Sequence, residues 1–159
     1  MILILLGTQD NSFHRLLEEV QALIDKKVIT EKVVVQAGRT KYESKDMEIH
    51  SLMPEEELKE IMKKADLVIT HGGVGSIVMA LKMEKKVIAV PRLSEFGEHI
   101  NNHQIQIIET FNSQEFLIGI TDLKELGNAL EKAKEFKPKK FKSETEHMIN
   151  LIEDFIDNN

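Results

Sequence analysis

The chain contains no cysteine. That excludes a disulfide framework and a thiolate zinc site, and it is compatible with a reducing compartment. No apolar run approaches the ~20 residues of a membrane span. The opening stretch Met1–Leu6 is six residues long, has no basic flank and stops at Gly7. It predicts a buried first strand rather than a signal sequence. Positive charge is in deficit: 21 Lys+Arg against 27 Asp+Glu give a net charge of −6. That argues against a general nucleic-acid binder. A small phosphorylated ligand remains open, because glycine N–H groups bind phosphate without lysines. There is no G-x-G-x-x-G dinucleotide fingerprint, and no Gly-Lys-Ser/Thr of a P-loop. The D-x-D pattern that often holds a metal–nucleotide complex is missing too, as is any internal repeat.

What remains is an ordinary soluble composition, 42% hydrophobic and 30% charged over 159 residues. One domain spanning 1–159 is expected. Short apolar runs alternate with helical periodicity. Ile2–Leu6, Lys32–Gln36, Met47–His50, Leu67–Thr70, Val87–Val90 and Phe116–Ile120 read as strands. A helix capped by Ser12 carries Phe13, Leu16, Leu17, Val20 and Leu23 on one face. Pro54 reads as the first residue of another, with Glu55–Glu57 in its first turn and Lys63 and Lys64 in its last. Residues 75–84, 100–111 and 123–136 read as helices. Ser143 and Glu146 form a capping-box pair opening a last helix over 143–157. The βαβ alternation predicts an α/β fold, a Rossmann-like parallel sheet with helices on both faces. Ligands in such sheets sit at the carboxyl ends of the strands. Three segments would meet there: Gly7–Asn11, His71–Ser76 and Pro91–Gln104.

The segment His71-Gly72-Gly73-Val74-Gly75-Ser76 lies between a strand and a helix. Gly72, Gly73 and Gly75 suit a phosphate cradle at a helix N-terminus, with the Ser76 hydroxyl as a further donor. The plain alternative is a tight strand–helix turn. The second constellation runs from Pro91 to Gln104, through Arg92, Glu98, His99, Asn102 and His103. Amide, imidazole and carboxylate groups suit a polyhydroxylated ligand, because each hydroxyl donates and accepts. The alternative is a solvated helix start. His99 and His103 are four apart, a metal-ligand spacing if both share a helix face. No convincing third ligand follows, and no metal site is expected. His71 is a weak candidate general base; otherwise it shapes its turn. Met148, Ile149, Leu151, Ile152, Phe155 and Ile156 form an apolar face on the last helix. That face packs on the sheet or docks a partner.

The two motifs together resemble the C-terminal, donor-binding domain of glycosyltransferase family 28. The resemblance runs from Ile2 to about Phe111 and includes the Gly7-Thr8-Gln9 turn. The chain also resembles the single-domain donor subunits of split bacterial capsule and exopolysaccharide transferases. These are similar to the catalytic half of the eukaryotic split GlcNAc transferase. The resemblance implies one half of a GT-B fold, and a UDP-sugar-binding subunit of a two-component inverting glycosyltransferase. It would add a hexose to a lipid-linked acceptor in surface polysaccharide synthesis, without metal or cofactor. Gly7, Thr8, Gln9, His71, Gly72, Gly73, Gly75 and Ser76 would hold the diphosphate. Asn102, His103 and Gln104 would lie near the sugar, with Arg92 and Glu98 as further contacts. The acceptor base and acceptor site would lie on a membrane-anchored partner. This chain would then be cytoplasmic, peripheral at the inner face of the membrane through that partner. Without the partner it could self-associate through its exposed face.

The chain departs from the family pattern at Met79, where many members carry a glutamate that binds ribose hydroxyls. A thioether cannot accept two strong hydrogen bonds. Either Glu98 takes the ribose, or the chain binds donor weakly alone. Two other readings are a non-catalytic accessory subunit and a sugar-nucleotide epimerase-like enzyme.

Overall fold

The computed structural model describes residues 1–141; the helix expected over 143–157 lies outside the described residues. The chain alternates strand and helix in the order β1 (Ile2–Leu5), α1 (His14–Asp25), β2 (Val33–Gln36), β3 (Glu48–His50), α2 (Glu55–Lys64), β4 (Leu67–His71), α3 (Val74–Lys82), β5 (Lys86–Val90), α4 (His103–Ser113), β6 (Ile118–Gly119) and α5 (Leu126–Glu135). All strand pairs are parallel. The sheet order is β3-β2-β1-β4-β5-β6.

Strand periodicity divides the core. Ile2 and Ile4 face one layer, Leu3 and Leu5 the other. The first layer is filled by Leu16, Leu17, Val20 and Leu23 of α1 and by Leu126, Ala129 and Leu130 of α5. Helices α2, α3 and α4 cover the second, through Leu58, Met62, Ile77, Ile107 and Phe111. Each fully buried Leu or Ile contributes about 1.5–3 kcal/mol. Continuous apolar strands are therefore required, since both faces are covered.

The order also locates the functional edge. From β1 the chain moves outward through β2 to β3, then returns to place β4 on the other side of β1. The carboxyl ends of β1 and β4 flank the resulting crevice, the topological switch point where ligands bind in open α/β sheets.

Local boundaries differ from the sequence reading for identifiable reasons. Pro54 is the N-cap of α2, not its first residue. Phe13, not Ser12, occupies the N-cap of α1, although the Ser12 hydroxyl accepts the His14 N–H at 3.3 Å. The Phe13 N–H is taken instead by the Thr40 hydroxyl at 2.9 Å. Helix α4 starts at His103 rather than residue 100. Asn101 Oδ1 accepts the His103 N–H at 3.0 Å, and Asn102 Oδ1 accepts the Ser94 N–H at 2.8 Å. These side-chain bonds compete with helix formation and hold 99–102 irregular. His99 therefore precedes the helix, which removes the His99/His103 helix-face pair. No group of three or more ligating side chains occurs among the described residues.

Candidate functional site

The β1–α1, β4–α3 and β5–α4 loops meet at the carboxyl edge of the sheet, and His71 is the pivot between them. Its ring lies against Gly7, where a Cβ would stand 2.7 Å from the imidazole, and against Gly73, where a Cβ would clash with the same ring. A Cβ at Gly72 would lie 2.6 Å from that of Gln104. Gly7 also holds φ +84°, a left-handed conformation open to glycine. These three glycines are thus explained by close packing. Gly75 is different. It is exposed, a Cβ would meet nothing within 4 Å, and its φ is not positive. A glycine inside a helix costs about 0.8–1 kcal/mol relative to alanine. Nothing in the fold of the described residues requires Gly75.

Gln104 joins the loops. Its Oε1 accepts the N–H of Gly72 and of Arg92, both at 2.9 Å. Two backbone donors on one oxygen fix the amide orientation. The Nε2 group therefore donates to His71 Nδ1, at 3.2 Å. His71 Nδ1 is then an acceptor, and the ring proton sits on Nε2, 3.4 Å from the Ser76 hydroxyl. Burial, and secondly the Arg92 charge, push the imidazole pKa down to about 3. His71 is a neutral hydrogen-bond donor with its lone pair occupied. That removes it as a general base.

Behind the loops lies a charged frame. The Arg92 guanidinium is fully buried and donates to the carbonyls of Leu6, Asn11 (2.7 Å) and Glu98 (3.0 Å). Burial lowers its pKa, and the Glu98 carboxylate opposes that shift. Glu98, 2% exposed, accepts two bonds from Arg15 at 2.9 and 3.0 Å and one from the Leu93 N–H at 3.0 Å. Phe13 lies beneath both guanidinium groups, 5.2 Å from that of Arg92 and 5.6 Å from that of Arg15. Arg15 also caps the exposed ring of Phe96 at 4.4 Å. Arg92, Glu98 and Gln104, read from the sequence as ligand contacts, instead spend their polar atoms on the protein. They hold the loops in place. Both Glu98 oxygens are engaged within the protein and the residue is buried, which sets it away from the ribose role.

The residues that face open space are others. Thr8, Gln9, Asp10, Asn11, His99 and Ile100 line a cavity of about 470 Å³ between the first and third loops. A larger groove of about 720 Å³ separates α2 from α3 and is lined by Gly75, Val78, Met79 and Met83, with Glu55 and Glu56 opposite. Ser76 is half-buried at the start of this helix, while Asn102 is exposed and His103 half-buried at the start of α4. The sequence reading did not anticipate Arg15. It lies 83 positions from Glu98, and nothing local marks it as a partner.

A six-stranded parallel sheet with helices on both faces and its loops gathered at the switch point is the architecture of one half of a GT-B fold. The chain belongs to the glycosyltransferase family 28 C-terminal domain family, matched over residues 1–158. It is 25% identical over 109 residues to the UDP-N-acetylglucosamine transferase subunit ALG13 of Candida albicans, covering 69% of this chain and 36% of that protein. The chain thus spans about a third of that relative. The solution structure of an ALG13 superposes with a TM-score of 0.59 at 20% identity, over 88% of each chain. The crystal structure of Acinetobacter baumannii MurG superposes with a TM-score of 0.54 at 14% identity, over 95% of this chain and 49% of MurG. The glycotransferase of kitacinnamycin gives a TM-score of 0.61 at 19% identity, over 82% of this chain and 34% of that one. The fold is one half of a GT-B enzyme.

Proposed function

We propose that this chain is the UDP-sugar-binding subunit of a two-component inverting glycosyltransferase. It supplies an activated hexose to a lipid-linked acceptor held by a membrane-anchored partner, in surface polysaccharide synthesis. The observation that carries this reading is the Gln104 clamp. One side chain ties the Gly72 and Arg92 backbones to His71 and so sets two of the three loops on one anion-facing edge. The name of the Candida relative, a UDP-N-acetylglucosamine transferase subunit, supports both the donor class and the subunit role.

In this reading the diphosphate lies at the N-terminus of α3, which offers unpaired backbone N–H groups and a favourable partial charge. The Nε2–H of His71 and the Ser76 hydroxyl add donors without adding charge. Gly75 leaves the phosphates and nucleoside room to approach the helix. The UDP-sugar is a substrate, and no metal or cofactor is invoked. With the His71 lone pair occupied, deprotonation of the acceptor falls to the partner. Among the described residues no helix is long and apolar enough to cross a membrane. In this reading the chain reaches the cytoplasmic face of the membrane through its partner. Ile100 is 88% exposed and Phe96 54% exposed on the β5–α4 loop, which suits them to that contact.

Titration of the chain with UDP-sugars, alone and with its partner, tests the proposal. Donor binding and transfer that requires both components are expected. Absence of binding in either setting, or full transferase activity without a partner, would overturn it. Met79 favours a second reading, an accessory subunit that enhances a partner transferase, since the α3 wall of the groove carries no carboxylate and those of Glu55, Glu56 and Glu60 stand across it on α2. Blocking the groove at Gly75 in the reconstituted pair separates the two. Unchanged turnover identifies the accessory role.

A further inference from the structure

Among the described residues, Gln9 carries a buried side-chain oxygen with no hydrogen-bond partner, its Oε1. Buried polar groups are nearly always paired, and an orphan calls for a specific reason. Gln9 sits two residues after the left-handed turn at Gly7 and is itself half-buried. It lines the 470 Å³ cavity with Thr8, Asp10, Asn11, His99 and Ile100. Small-molecule sites usually measure about 300–1,000 Å³. The terminal torsion of a glutamine is broad and soft. Rotation about it carries the carbonyl from its unpaired position to the cavity when a donor is there to meet it.

The chemistry of the orphan restricts what can satisfy it. A carbonyl needs a donor. The oxygens of a diphosphate at neutral pH are acceptors and cannot pair with it. A sugar hydroxyl or an acetamido N–H can. The neighbouring Asp10 adds a second acceptor group to the same cavity, anchored by Arg39 at 3.0 Å. The cavity also adjoins the anion edge, because Gly7 packs directly on the His71 ring.

We infer that Gln9 determines specificity for the transferred sugar: its carbonyl accepts a hydrogen bond from a hydroxyl or amide N–H of that group. This rests on the donor-site reading of the same edge. It adds Gln9 to the residues that meet the sugar.

The experiment is calorimetric titration of the full chain with UDP, UDP-glucose and UDP-N-acetylglucosamine, for wild type, Gln9→Met and Gln9→Glu. Wild type is expected to bind one of the sugar nucleotides more tightly than UDP. Gln9→Met should leave the Kd for UDP within about twofold and weaken the preferred sugar nucleotide about five- to tenfold, the worth of one buried hydrogen bond. Gln9→Glu keeps an acceptor, so the ratio of the two Kd values should be retained even if added charge weakens both. In the ligand-free chain Gln9→Met should raise Tm, because an unpaired acceptor is removed. Equal weakening of UDP and sugar nucleotide by Gln9→Met, or a lower Tm, would overturn the inference. So would a wild type that binds UDP and both sugar nucleotides equally. A wild type that binds none of the three overturns the donor-site reading itself.

Discussion

Gln104 donates to Nδ1 of His71 at 3.2 Å, and that bond decides what each residue can do. The glutamine oxygen is already shared by two backbone N–H groups, so its amide cannot turn. The histidine is therefore held as the Nε2–H tautomer, facing the glycine loop. A residue that looks like a base in sequence is a fixed, uncharged donor in the fold.

The first consequence is a pH dependence. Burial lowers the folded pKa of His71 to about 3, from 6.5. Between these values the unfolded chain binds a proton that the folded chain refuses. Stability from this group is complete above pH 6.5 and is lost as pH falls from 6.5 toward 3. The slope approaches about 1.4 kcal/mol per pH unit. Urea unfolding at pH 7.5, 6.5, 5.5 and 4.5 checks it, with His71→Asn as the flattened control. In NMR titration the His71 ring should show no inflection between pH 8 and 4.5.

Gln104→Met keeps the side-chain length and removes the acceptor. The Gly72 and Arg92 N–H groups are left buried and unpaired, at about 1–3 kcal/mol each. A loss of about 2–4 kcal/mol in urea, with an unchanged m-value, is expected. The same variant frees His71 Nδ1, and exchange broadening of its ring signals should follow. Full stability together with an unchanged tautomer would refute the clamp.

Arg92→Lys tests the frame. The guanidinium serves three carbonyls from one planar fork, and a single ammonium cannot reach the same three positions. A cost of about 2–4 kcal/mol is expected, on the scale of a broken buried charge network. Because Leu6 and Asn11 bracket the first loop, hydrogen exchange should quicken there before it does in α5.

Gly75→Leu separates folding from function. Its Cβ position is open, and leucine favours the helix over glycine, so stability should hold or rise by up to about 0.8 kcal/mol. The side chain would fill the mouth of the α2–α3 groove. UDP binding should weaken at least about tenfold, the effect of lost access to the helix N-terminus. Undiminished binding measured by calorimetry would place the nucleotide elsewhere.

Much of the architecture is legible because it is local. Leu67–His71, the glycine turn and the helix after it follow from a buried apolar run, two adjacent glycines and helical spacing. The acidic start and basic end of α2 read directly from Glu55–Glu57 and Lys63–Lys64. Boundaries slipped where side chains compete with the backbone, as at Asn101 and Asn102 before α4. The site was legible as a set of loops but not as a set of roles.

The sequence by itself determined the alternation of strands and helices, the parallel sheet and the edge at which the loops gather. Those follow from periodicity, burial and turn chemistry within short windows. Only the tertiary structure decided which polar residues face open space at that edge. Arg92 meets Leu6 across 86 positions, and Arg15 meets Glu98 across 83. A polar side chain turns inward only when such distant partners satisfy it, and no local pattern encodes that pairing.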